Sequence, residues 1–229
     1  MKRAKSTAIM LVALILSFLI FPMGGSATDQ MANLKEAIKI SNEALANYIQ
    51  YGLTEKNAAT FGFKNLDDAK AAHIGKPYPV KMLDLSAVKD YQPGSGAKKM
   101  LRDPGIMWFP VMVGDTFRTK IETVRIDGQW KPGEFGDTLK AQEVWAVGTK
   151  TKAIAEAKGM RDGYTSFIVN APSLLATFVY LQSDDREFLI PAMVNPERYG
   201  MDNGKAYSAD EALRILKRFA KEIKPGTIR

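Results

Sequence analysis

The chain has 229 residues and is 46% apolar, enough to bury a core without help from a disulfide or a metal and too apolar for a disordered segment. It has no cysteine, which excludes disulfides, thiolate metal sites, a cysteine nucleophile and a lipid-modified N-terminal cysteine. The formal charge of +7 falls to +4 once Lys2, Arg3 and Lys5 are set aside with the segment that carries them, a balance too even to imply nucleic acid.

The N-terminus has the three parts of an export signal. Lys2, Arg3 and Lys5 form a basic stretch, and an apolar run follows from Ala8 to Phe21. That run is long enough to engage the export machinery and short for a membrane span. Pro22, Gly24 and Gly25 break it, and Gly25-Ser26-Ala27 supplies the small residues that signal peptidase needs, so cleavage is expected between Ala27 and Thr28. Residues 1–27 are therefore read as a signal peptide and 28–229 as a single exported domain. The competing readings are an uncleaved anchor over Thr7–Ala27 and, in the mature part, two lobes with a break near 150–163.

The mature chain opens with a helical stripe of Met31, Leu34, Ile38, Leu45, Tyr48 and Ile49, which predicts an amphipathic helix over 30–51 ended by Gly52. A short helix is expected at 66–73, with Asn65 as N-cap and the only histidine, His73, at its C-terminal end. A strand is expected at 80–85, and the Pro-Gly-Ser-Gly of 90–97 reads as a loop.

Residues 105–135 hold three strand-like runs joined by Gly114-Asp115 and Asp127-Gly128, dipeptides that suit tight hairpin turns. They predict a three-stranded antiparallel meander. The first turn sets Met112 opposite Phe117 and Trp108 opposite Ile121, with Ile106 on the same face, which is read as core. On the other face Val111 pairs with Arg118, Phe109 with Lys120 and Met107 with Glu122. The second turn sets Arg125 opposite Trp130, a candidate cation–π pair.

Residues 137–147 fit a helix or, through Val144-Trp145-Ala146-Val147, a strand; 151–158 fit a helix. Strands are expected at 164–170, 175–182 and 187–193, then a polar loop over 195–207. The last helix is marked by a Ser208/Glu211 capping box, by an apolar stripe through Leu213, Leu216, Phe219 and Ile223, and by a Pro225-Gly226 stop. Antiparallel strands packed by N- and C-terminal amphipathic helices make an α+β fold.

Chemistry-bearing patterns are few. One histidine rules out two-histidine metal sites and HExxH, and no GxSxG elbow accompanies it. Asp67-Asp68 sits in a helix's opening turn and Asp184-Asp185 at a hairpin tip, where acids have structural reasons to be. Asp202-Asn203-Gly204 lacks EF-hand spacing, and Pro93-Gly94-Ser95-Gly96 lacks the P-loop ending. No cofactor and no metal are expected. The candidate binding surface is the second face of the meander, Met107, Phe109, Val111, Arg118 and Lys120; it is a contact patch if bare and ordinary core if a helix covers it. The expectation is a periplasmic or secreted, non-enzymatic protein that binds an envelope protein or a small ligand, with no membrane span once the signal is removed. The alternatives are a hydrolase working through paired carboxylates and a chaperone-like assembly factor.

Overall fold

The computed structural model describes residues 27–160, 163–183 and 186–224. The residues read as an export signal, up to Ser26, the Asp184-Asp185 pair and the Pro225-Gly226 stop lie outside the described residues; Ala27 and Thr28 are the first two residues of helix α1. The chain is α+β. In order it forms α1 (Ala27–Asn47), α2 (Leu66–Lys70), β1 (Ala72–Ile74), β2 (Tyr78–Leu83), α3 (Leu85–Lys89), β3 (Leu101–Val113), β4 (Thr116–Ile126) and β5 (Gln129–Gly136). Then come α4 (Thr138–Gly148), α5 (Thr151–Ala157), β6 (Thr165–Ala171), β7 (Ala176–Gln182), β8 (Glu187–Met193), α6 (Pro196–Tyr199), β9 (Tyr207–Ser208) and α7 (Ala209–Glu222).

The nine strands of the described residues join one sheet in the order β5-β4-β3-β2-β6-β7-β8-β9, with β1 beside β3. Two antiparallel meanders, β2–β5 and β6–β9, meet back to back through a parallel pair, with Val80 opposite Ile168 and Met82 opposite Asn170. Helices cover both faces, not one. Over one face α1 closes the first meander on Phe109, Val111 and Ile121, and α7 closes the second on Val169, Phe178 and Leu189. Over the other, α4 and α5 seal Trp108, Val80, Ile168, Val179 and Ile190. Helix α4 packs against both β4 and β8. Those strands are five positions apart, roughly 24 Å in a flat sheet, whereas a helix is about 10 Å across. The sheet must therefore curl around α4.

Local chemistry explains most boundaries. Asn65 accepts the Asp68 N–H at 2.8 Å and caps α2 as expected, but α2 stops at Lys70. His73 lies instead in β1, opposite Met112, because Ala72 and Ile74 find a better burial site on β3 than one more helical turn offers. Residues 138–148 are helical: Ala141, Val144, Val147 and Gly148 fall at helical spacing on the buried side. The 195–207 segment is less of a loop than its composition suggests, since Asn195 caps α6 and Tyr207 adds to β8. Ser208 accepts the Glu211 N–H at 3.2 Å and starts α7.

The second meander turn is as expected. Asp127 and Gly128 both have positive φ (51° and 81°), and Arg125 faces Trp130. The Arg125 guanidinium does not stack there; its Nε donates to the Gly128 carbonyl at 3.2 Å, while Trp130 is buried under α1.

The first hairpin departs from expectation. Met112 does face Phe117, but a β-bulge then inserts Arg118, so Val111 faces Thr119, Phe109 faces Ile121 and Trp108 faces Glu122. A bulge places two residues against one, and every later residue of β4 is re-sided. Ile121 thus joins Phe109 beneath α1, and Lys120 moves to the Trp108 face. The bulged Arg118 turns its guanidinium onto both Asp68 carboxylate oxygens at 3.0 Å and pins α2 to the sheet. Gly62 makes this approach feasible: a Cβ there would lie 2.2 Å from the Arg118 carbonyl oxygen, and its φ is +84°.

Candidate functional site

The face proposed from sequence as a binding surface is closed. Met107, Phe109 (0% exposed) and Val111 are core beneath α1. Arg118 remains on that face but is committed to Asp68. Burial pushes the Asp68 carboxyl up, while the Lys64 N–H and Arg118 pull it down, with a net shift below the ordinary carboxylate value.

Lys120 lies on the opposite face, 2% exposed, and its ammonium donates to Glu122 at 2.6 Å and Glu134 at 2.5 Å. This is the closest approach to the paired carboxylates a hydrolase would need. Both acids are spent on neutralising one buried cation. The cavity beside them, bounded by Trp108, Lys140, Asn170 and Thr177, measures about 20 Å³. That holds one water and no sugar ring. Among the described residues no group of three or more His, Cys, Asp or Glu side chains is placed to hold a metal ion. His73 stands on β1, not at a helix end.

Two further carboxylates hold the glycine loop rather than a substrate. Asp210 accepts from the Tyr91 hydroxyl and from the Gly94 N–H, and Glu187 accepts the Ala97 N–H at 2.6 Å. Burial, then the neighbouring Asp210, raises the Tyr91 hydroxyl to about 12; the same hydroxyl and the Gly94 N–H lower Asp210.

A groove of about 330 Å³ opens elsewhere, between the C-terminal end of α1 and edge strand β5. Its walls are Ala44, Asn47, Tyr48, Tyr51, Gly52 and Pro132, with no carboxylate, lysine, arginine or histidine among them. The groove follows from how α1 ends. After Asn47 the helix widens into a π-turn, Tyr48–Gly52, which the Asn57 side chain closes by donating to the Gly52 carbonyl at 3.0 Å. Such turns shift the helical phase and recur at functional sites. Here Tyr48 stacks inward on Phe135, centroids 4.5 Å apart, and Tyr51 is left 76% exposed on the groove's rim. Phe61 also stacks on Phe135, centroids 5.2 Å apart, behind Tyr48. Pro132 belongs on an edge strand, having no N–H to give the ladder.

Sequence reasoning missed this groove. One sign was available: Tyr51 is an aromatic residue off the apolar stripe of its helix. Pro132 joins it only through the meander's third strand, eighty residues later. No known protein family, curated protein or solved structure matches the chain. No helix of the described residues is long and apolar enough to cross a membrane.

Proposed function

We propose that this chain is an exported envelope protein that works by binding, and that the groove beside Tyr51 is where it holds an apolar side chain of a protein partner. One observation carries the choice of site: a shallow, open depression of about 330 Å³ bounded by aromatic and proline side chains, with an aromatic residue left in solvent at its rim. Its volume is at the low end for small-molecule pockets, which suits one or two side chains better than a cofactor. Exposed tyrosine supplies contact area at low entropic cost and is enriched where proteins meet. Its lining offers an amide and two phenols and no stronger acid or base, which supports binding over catalysis. The basic, apolar and small-residue order of the first 27 residues supports export to the periplasm or beyond.

A photo-crosslinking amino acid at position 51, in cells that export the protein, tests the reading. Adducts are expected from position 51 and not from Asp115 at the tip of the first hairpin. Equal labelling from both positions, or none from 51, rejects the site. N-terminal sequencing of the exported protein is expected to begin at Thr28.

A further inference from the structure

We infer that Asn203-Gly204 is a deamidation site that the fold holds shut, so that copies of the chain that unfold are marked covalently while folded copies are not. Of the chain's asparagines only Asn203 is followed by glycine. After the others comes a side chain or, at Asn195, a proline ring, which hinders attack by the next backbone nitrogen on the asparagine amide; glycine has nothing to obstruct it. In the reaction the Gly204 nitrogen gives up its proton and bonds to the carbonyl carbon of the Asn203 side chain. The bond from that carbon to the amide nitrogen breaks, ammonia leaves, and a cyclic imide remains. Water then opens the ring at either carbonyl. The products are aspartate and its isomer, in which the main chain runs through the side chain.

In the folded chain both reacting groups are engaged elsewhere. The Gly204 N–H donates to the Pro191 carbonyl at 2.7 Å. The Asn203 amide grips Val194, three residues further along: it accepts the Val194 N–H at 3.1 Å and donates to the Val194 carbonyl at 3.2 Å. For the ring to close, the amide must release Val194 and fold back over its own peptide, and the Gly204 N–H must leave Pro191. The turn that carries them is tied at both ends. The Asp202 N–H donates to the Tyr207 hydroxyl at 2.8 Å, and the Lys205 N–H returns to the Asp202 carbonyl at 3.3 Å. Gly204 has a φ of +81° at the third position of that turn, where glycine is favoured. The residue that permits the turn is thus the residue that makes Asn203 labile.

The turn cannot open alone. Met201 before it and Tyr207 after it are buried in the core of the second meander, and Tyr207 pairs with Leu189. Past the two residues of β9, Gly204 and Asn203 continue the pairing along the outer edge of β8. Opening therefore means lifting residues 201–207 off the sheet, a partial unfolding. Asn203 is exposed, so water is at hand once the imide forms. Conversion makes that opening permanent. A carboxylate at position 203 still accepts the Val194 N–H but has no hydrogen to give the Val194 carbonyl, and the isomer lengthens the backbone of the turn.

The test holds the wild-type protein in mildly alkaline buffer, folded in one arm and unfolded by guanidinium chloride in the other. Trypsin then releases Tyr199–Lys205, and mass spectrometry reads its change from amide to acid. The unfolded arm is expected to convert at least about tenfold faster than the folded arm, the factor of an opening that costs about 1.4 kcal/mol. Equal rates in the two arms, or no conversion in the unfolded arm, overturns the inference. Tyr207→Phe removes the hydroxyl that holds Asp202 and is expected to convert several-fold faster than the wild type in the folded arm; a rate it does not raise overturns the role given to the turn. Asn203→Asp, made directly, is expected to unfold at a lower guanidinium concentration than the wild type or to remain unfolded. An unchanged midpoint overturns the claim that conversion disables the chain.

Discussion

The two meanders share a plan, four antiparallel strands with a long helix over one face, yet they are held together by different means. The second is mostly apolar. Val169, Phe178, Val179, Leu181, Leu189 and Ile190 are buried on both sides of the sheet, with the Tyr180 hydroxyl and Thr177 buried among them; β6 and β7 pair without a register shift, and β7 and β8 slip once, at Thr177/Phe178. The first mixes apolar burial with buried polar groups: Lys120 between two glutamates, Arg118 on Asp68, and the Thr119 and Thr123 hydroxyls and the Trp130 indole N–H, which have no hydrogen-bond partner. Its ladders slip three times, on β2, on β4 and between β4 and β5. Hydrophobic burial is non-directional and tolerates a plain register, whereas a buried ion demands one partner at one distance. The bulge at Arg118 is the device that delivers those partners, and the groove opens on the same meander's free edge.

Each prediction probes that contrast. The largest effect is expected where a charge enters the apolar part of the first meander: Phe109→Asp puts a carboxylate at a fully buried site whose nearby face cation, Arg118, is already committed to Asp68, and should lose more than about 4 kcal/mol, leaving a chain that is unfolded by circular dichroism. In the second meander, where only apolar contact is at stake, Phe178→Ala should lose about 3–5 kcal/mol in urea unfolding. Lys120→Ala leaves Glu122 and Glu134 facing each other without their cation and should cost about 1–3 kcal/mol, less than a fully buried pair because both acids reach solvent. Lys120→Met, which keeps the stem's packing, should cost less than the alanine variant. Equal losses for the two would show that packing, not charge, is what Lys120 supplies.

The smallest effects concern the start of α7 and the loop it holds. Ser208→Ala should cost about 1 kcal/mol by removing the N-cap. Tyr91 has a folded-state pKa raised from 10 to about 12, so its contribution to stability is complete below pH 10 and is lost as the pH climbs toward 12. Urea midpoints measured across pH 9–12 should fall more steeply for the wild type than for Tyr91→Phe. Asp210 has the opposite sign: its lowered pKa contributes stability above about pH 4 that is lost as the pH falls further, and Asp210→Asn should flatten that acid limb.

Much of the fold was legible because short-range rules were enough. Asn65 and Ser208 marked helix starts by chemistry their own backbone neighbours confirm, and Asp127-Gly128 specified its turn and the Arg125–Trp130 register. The failures share a cause. The Arg118 bulge answers to Asp68, fifty residues earlier, and no periodicity in β4 announces it. His73 was assigned to a helix by its neighbours and to β1 by a partner strand forty residues on. The proposed face residues Met107, Phe109 and Val111 had the right alternation, but whether that face met water or a helix depended on where α1 came to rest.

Taken alone, the amino-acid order determined the class of fold, most of the helices and strands, both tight turns of the meander and the absence of thiol chemistry, because periodicity, capping and turn preferences act within a few residues. The tertiary structure alone decided the parallel seam between β2 and β6, the curl of the sheet around α4, the side of the sheet that Lys120 faces, and the meeting of Tyr51 with Pro132. Those depend on which distant segments bury one another, and hydrophobic burial, being without direction, leaves no mark of its partner in the residues that seek it.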